Sequence, residues 1–165
     1  AIIIKQSLIS LSVTGVFFLL CLPIDTSNIT ELDDRLGFTI CCLFVSALSI
    51  VMCIVAADMR GNSDPIDASE NLVNVPSRIL QKTTEQFLLH MITMLTLTLF
   101  IQGSSMIIIP ILSAIFLIAR TVYQFYPIIR GYALMCTFLP TMIVYTYCTV
   151  CCILKIFSAY DVLYT

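Results

Sequence analysis

Charge is what this sequence has least of. Asp, Glu, Lys and Arg make up only 11% of its 165 residues, against about a quarter in an ordinary soluble domain. Strands of alternating polarity are missing as well, which argues against a membrane barrel. There is no internal repeat and no low-complexity tract. Histidine occurs once, at position 90. The eight cysteines (Cys21, Cys41, Cys42, Cys53, Cys136, Cys148, Cys151 and Cys152) all fall in apolar runs. Neither a metal-ligand spacing nor a disulfide framework can be drawn from them, and the sequence calls for no metal and no cofactor. A net charge of −2 gives no footing for a nucleic-acid partner. The chain opens at Ala1 without a methionine, as a fragment or a processed form does.

What is present is grease. The chain is 59% hydrophobic, with a mean hydropathy of +1.03. Its apolar runs reach the roughly 20 residues that a helix needs to cross a bilayer. Backbone groups in lipid must be satisfied within the element, so the expectation is an all-α, helical integral membrane protein. Five spans can be drawn. Residues 1–24 form the first, interrupted by Lys5 and ended by Pro23; the run is too long for a signal-peptide core and lacks an A-x-A cleavage site. Residues 25–35, DTSNITELDDR, are a polar loop. The second span covers 36–57. A polar stretch over 58–77 is read as a loop, with Asp67 or Ser69 capping a short helix in it.

Ser77 is the expected N-cap of the third span, which runs to Ile101. A tight turn at Gln102-Gly103-Ser104 follows. The fourth span, 105–126, carries Pro110 as a potential kink. Tyr126-Pro127 turns the chain into a fifth span, about 130–154, with Pro140 inside it. Such short turns make the last three spans antiparallel neighbours.

Asn28-Ile29-Thr30 is a glycosylation sequon in an acidic loop. That favours a lumenal 25–35 loop and a glycoprotein, with Lys5 and the 58–77 loop on the cytosolic side, as the positive-inside rule prefers.

The third span opens with a charged stripe. Arg78, Lys82 and Glu85 are four and three residues apart and share one helix face. A charge at mid-bilayer costs roughly 2.5–3.5 kcal/mol on insertion scales. Arg78 and Lys82 lie close enough to the cytosolic end to snorkel, but Glu85 is deeper and needs a partner. Lys82, Arg78, or a cation of another helix is available. Arg120 and Tyr123 in the fourth span and Arg130 at the start of the fifth lie at a similar depth. The six residues can therefore converge, either as an ion-pair network fixing helix register or as a site with a surplus of positive charge for an anionic ligand. His90 is read as a satisfied polar residue, and Phe87, Phe116, Phe125 and Tyr145 as packing.

This pattern resembles the MAPEG family, the membrane-associated proteins in eicosanoid and glutathione metabolism. The resemblance implies a four-helix transmembrane unit over 36–157, assembled as a homotrimer. The family's second-helix Arg, Asn and Glu correspond to Arg78, Lys82 and Glu85. Its third-helix Arg and Tyr correspond to Arg120 and Tyr123. The last-helix arginine that activates the glutathione thiol in some members corresponds to Arg130. Two positions depart: Lys82 stands where the family has Asn, and a second ligand tyrosine falls near Pro127. The stretches GVFFLLCLPID and RGYALMCTFLP, with the additional first span, are similar to the branch that includes mattrin, the transmembrane protein 79 of vertebrates.

Two functions follow as expectations. One is a non-enzymatic protein of the mattrin-like branch in Golgi, secretory-vesicle or endolysosomal membranes, with a barrier or trafficking role, binding an anionic lipid or peptide. The other is a glutathione transferase or peroxidase of the endoplasmic reticulum kind, with glutathione as cofactor. In that case Arg130 stabilises the thiolate. Arg78, Arg120 and Tyr123 hold the carboxylates, and Glu85 the amino group. A lysine at 82 favours the first.

Overall fold

The structure is a computed structural model. It describes residues 26, 28–61 and 70–164, together with positions 5, 8, 9, 12, 13, 15, 16 and 19. The described residues form helices and turns. Four long helices follow one another: α1 (Leu32–Gly61), α2 (Glu70–Phe100), α3 (Ile108–Phe125) and α4 (Arg130–Tyr164). Short 3-10 turns at Gly103–Ile107 and Pro127–Ile129 join the last three. In the bundle, α1 packs against α2 and α3, and α4 packs against the same two from the other side. α2 and α3 therefore face each other across the middle.

Most of the expected first span lies outside the described residues; its described positions are helical. The expected caps Asp67 and Ser69 also lie outside them. The expected 58–77 loop is shorter than the polar composition suggested. α1 continues to Gly61, and α2 has begun by Glu70. The helix thus runs through Pro76, whose missing N–H leaves the carbonyl of residue 72 without its usual donor. Ser77 therefore lies inside α2 and is not its cap.

Among the described residues, three helical segments are long and apolar enough to cross a membrane: Leu32–Ala56, Gly103–Phe125 and Pro127–Ser158. α2 is long enough, at 31 residues, but Arg78, Lys82, Glu85, His90 and a run of threonines lower its apolarity. The surface is apolar where a soluble protein is polar. Phe44, Val51 and Val55 on α1, and Ile143, Val150 and Phe157 on α4, are all exposed, a surface suited to hydrocarbon and unsuited to water.

Polarity has moved inward. Thr39 and Thr98 share a 2.8 Å hydrogen bond between α1 and α2. Ser46 reaches the backbone of Ser113 on α3 at 3.3 Å. Small hydroxyl residues let helix backbones approach closely and bond across the seam. Others, such as Thr93 and Thr141, donate to the carbonyl four residues back and satisfy themselves locally.

The turns follow local chemistry. Gly103 has φ 57°, a left-handed conformation that glycine reaches without a Cβ penalty. Pro110 falls in the first turn of α3. Its lost N–H costs least there, and no kink is needed. Residues 32–35 of the expected 25–35 loop already belong to α1, and Thr26 ties the segment before it to this end. Thr26 is buried and donates to the carbonyls of Gly103 at 3.1 Å and Ser104 at 3.3 Å. Asn28 of the sequon stays exposed.

One cation holds this end together. Arg35, in the first turn of α1, is buried. Its Nη1 donates to the carbonyls of Ile101 at 2.8 Å and Thr98 at 3.4 Å. Those are carbonyls at the negative end of α2, which helical bonding leaves free.

Candidate functional site

α2 presents two polar stripes on different faces. Arg78, Lys82 and Glu85 are exposed. Thr83, Gln86, His90 and Thr93 recur at three- and four-residue spacing on the inner side, with Thr83, His90 and Thr93 buried. The two groups have different partners.

On the outer face, Lys82 Nζ lies 2.9 Å from Glu85 Oε2, and Gln81 Nε2 donates to Glu85 Oε1 at 3.0 Å. The Lys82 and Glu85 side chains are 58% and 49% exposed. Of the partners open to Glu85, the structure takes the nearest, Lys82 on its own helix. Among the described residues, no cation of a neighbouring helix reaches it.

On the inner face, Arg120 is 1% exposed. Its Nη2 donates to Thr137 Oγ1 on α4 at 2.8 Å. The Thr137 hydroxyl lies 2.9 Å from Gln86 Oε1 on α2 and also 2.9 Å from the Leu134 carbonyl. The guanidinium carbon sits 5.5 Å from the centroid of Phe116 and 5.2 Å from that of Tyr123, both within cation–π range. Phe116 in turn stacks on His90, with centroids 4.5 Å apart and planes 16° from parallel. Phe87 completes the aromatic group at 6.0 Å from Phe116. Phe87 packs on Phe116, and Phe116 packs on the cation.

Arg120 Nε and Nη1, and His90 Nε2, are buried and have no hydrogen-bond partner among the described residues. The only ion pair among those residues is the exposed Lys82–Glu85 pair. Arg120 therefore has no carboxylate among the described residues. This chemistry fits an anion: a forked donor in a low-dielectric setting, with two of its nitrogens uncommitted.

The inner group continues toward the Tyr126–Pro127 turn. Gln124 Nε2 donates to the Met52 carbonyl at 2.8 Å, and its Oε1 lies 3.5 Å from Cys53 Sγ. Cys53 is also 3.7 Å from Thr83 Oγ1. Arg130 is half-buried, and its Nε donates to the Tyr123 carbonyl at 3.1 Å. Arg120, Tyr123 and Arg130 thus gather at one end of the bundle. Arg78, Lys82 and Glu85 lie on the outside of α2, and the link from α3 to α2 runs through Thr137 and Gln86.

Among the described residues, no group of three His, Cys, Asp or Glu side chains is placed to hold a metal. The seven described cysteines are free thiols.

This bundle can be set beside known proteins. The model of the MAPEG family matches residues 38–154. The chain belongs to the MAPEG family. The matched region runs from the first turns of α1 to the later part of α4 and takes in every residue of the inner and outer polar groups. No curated protein and no solved structure matches the chain.

The residues that the charged stripe alone did not reveal are Arg35, Gln86, Gln124 and Thr137. Gln86 had a signal. Thr83, Gln86, His90 and Thr93 trace one helix face, and polar residues on a membrane helix turn inward. Thr137 had none, since a lone threonine before Pro140 looks like many others.

Proposed function

We propose that this MAPEG protein is a non-enzymatic, multi-pass membrane protein of the mattrin-like branch. It acts in Golgi, secretory-vesicle or endolysosomal membranes, in a barrier or trafficking role, and binds an anionic lipid or peptide at its cationic end. Arg120 and Tyr123 form the inner part of this site and Arg78, Lys82 and Glu85 the outer part.

The observation that carries the reading is the Arg120 guanidinium, buried with Nε and Nη1 unpartnered and no carboxylate beside it among the described residues. Burying a charge is expensive unless a partner compensates, and an anion is the partner this site lacks. Assembly as a homotrimer is part of the same reading. The outer face of α2 would set Lys82 and Glu85 against lipid, where charges are costly, and a second copy would cover them.

Lys82 supports the non-enzymatic side. An asparagine can both accept and donate, whereas lysine only donates. Here the ammonium occupies the Glu85 carboxylate and keeps it from the amino group of a tripeptide.

The test is glutathione conjugation to chlorodinitrobenzene by the protein in reconstituted membranes. Wild type is expected to show no turnover, and Lys82→Asn to gain glutathione binding. Robust wild-type turnover that Arg130→Ala abolishes would establish the transferase instead.

A further inference from the structure

Beside the bundle interior lies a second feature, between α3 and α4. A cavity of about 240 Å³ opens there. For scale, a dry apolar cavity of ~150 Å³ admits benzene. Ile118 and Val122 of α3, Tyr132 and Cys136 of α4, and Ile9 and Val13 of the amino-terminal segment line it. Arg120 is not in its wall. Apart from the Tyr132 hydroxyl and the Cys136 thiol, the side chains named here are hydrocarbon.

Two observations say what fits. Ile9 and Val13 lie outside the 38–154 family match, so this wall comes from beyond the matched four-helix region. A cation stands beside one end of the slot without lining it. Ile129 lines it, and Arg130 is the next residue. The Arg130 Nε is tied to the carbonyl of Tyr123, the residue after the lining Val122. One of the five guanidinium N–H groups is thus used to fix the side chain, leaving the Nη fork for planar recognition of an oxyanion.

An apolar slot on a membrane-facing helix pair, with a fixed cation beside its end, has the two-part chemistry of a charged lipid. We propose that the α3–α4 slot holds one acyl chain of an anionic phospholipid whose phosphate pairs with Arg130. The proposal does not rest on the preceding reading, in which Arg120 and not Arg130 holds the ligand. Any lipid can wet an apolar groove; the arginine is what makes the headgroup matter, since it adds a charge-assisted bond near the membrane interface.

The experiment uses the full chain in phosphatidylcholine vesicles with a trace of phosphatidic acid carrying a diazirine in one acyl chain. After photolysis, adducts are mapped by peptide mass spectrometry. They should concentrate on residues 115–136, and unlabelled phosphatidic acid should compete about tenfold better than phosphatidylcholine. Arg130→Gln should erase that preference while leaving the adduct positions in place. Cys136→Phe should fill the slot and suppress the adducts, and Val122→Phe provides the same test from the other wall. Adducts spread as densely over Phe44 and Val51 of α1 would show bulk lipid and overturn the proposal. So would a headgroup preference that survives Arg130→Gln. Glutathione turnover by wild type would sink the non-enzymatic reading without altering these adducts, so the two failures are distinguishable.

Discussion

Replacing Arg120 by methionine separates function from stability. In an ordinary core, deleting a large buried side chain destabilises. Arg120 differs because its charge has no counter-ion among the described residues. The wild-type guanidinium bears a burial penalty of several kcal/mol. Against it stand one charge-assisted hydrogen bond to Thr137 at 2.8 Å, worth roughly 1.5–3 kcal/mol, and contacts with two aromatic rings, worth about 0.5–2 kcal/mol each. The two sides nearly cancel.

Methionine keeps the length, packs on Phe116 and Tyr123, and leaves the Thr137 hydroxyl its acceptors on Gln86 and Leu134. We therefore expect Arg120→Met to unfold within about 1 kcal/mol of wild type, or to be more stable, as happens when unsupported buried charge is replaced by apolar side chains. Binding of an anionic ligand should fall sharply in the same variant. The assay is reversible unfolding in mixed micelles, read by circular dichroism, beside ligand-induced thermal shift. A loss of 3 kcal/mol or more without ligand would refute the reasoning, because the arginine would then be holding the bundle together.

Arg35→Leu should destabilise by about 2–3 kcal/mol, since it removes a buried charged donor and strands the Ile101 and Thr98 carbonyls; chemical denaturation in micelles measures it, and a wild-type midpoint would count against the capping role. Gly103→Ala should cost about 1–2 kcal/mol from its left-handed backbone alone, because an added Cβ meets nothing within 4 Å; the same denaturation series reads it. Glu85→Gln should leave the melting temperature of the dissociated chain unchanged, its partners being exposed side chains of its own helix. A drop seen only in the assembled protein would place Glu85 between copies. Asn28→Gln should abolish a glycosidase-sensitive mobility shift, whereas labelling of Asn28 from the cytosol would reverse the assigned topology.

The helices were legible because hydrocarbon length and turn chemistry act locally. Gly103 and Pro127 each mark a boundary through their own backbone preferences, and the structure turns at each; Pro110, read as a kink, falls instead in the first turn of α3. The 58–77 loop misled for the converse reason. Polar composition reports solvent, and a helix that leaves the bilayer remains a helix if its own hydrogen bonds continue. The charged stripe was legible as a face, since Arg78, Lys82 and Glu85 do share one. Which way that face points is a tertiary fact: α2 also carries the Thr83-Gln86-His90-Thr93 stripe, and only one of the two can turn inward. The neutral stripe took the interior, where hydroxyl, amide and imidazole are cheaper to bury than a charge.

That choice explains why Arg120 stands out. Several buried neutral polar groups are partnered, as in the Thr39–Thr98 bond, the Gln124 amide and the Cys53 thiol against Thr83; His90 Nε2 and Ser113 Oγ are not, but they carry no charge. The opposite outcome was available in sequence, because Glu85 directly precedes Gln86, the residue that reaches Thr137 beside Arg120. A rotation of α2 by one residue would bring the carboxylate toward the guanidinium. In the structure Glu85 is instead bonded to Lys82 and Gln81, and Gln86 offers a neutral oxygen. An amide oxygen orients Thr137 without neutralising the arginine. The charge thus stays available in the bundle, with cation–π contacts supporting it and no carboxylate among the described residues competing for it. Substituting Gln86 by glutamate tests this directly. The new carboxylate should pair with Arg120 through Thr137, raise the unfolding midpoint and weaken anionic ligand binding in parallel. If Gln86→Glu leaves binding intact, the uncommitted nitrogens of Arg120 are not where the ligand is held.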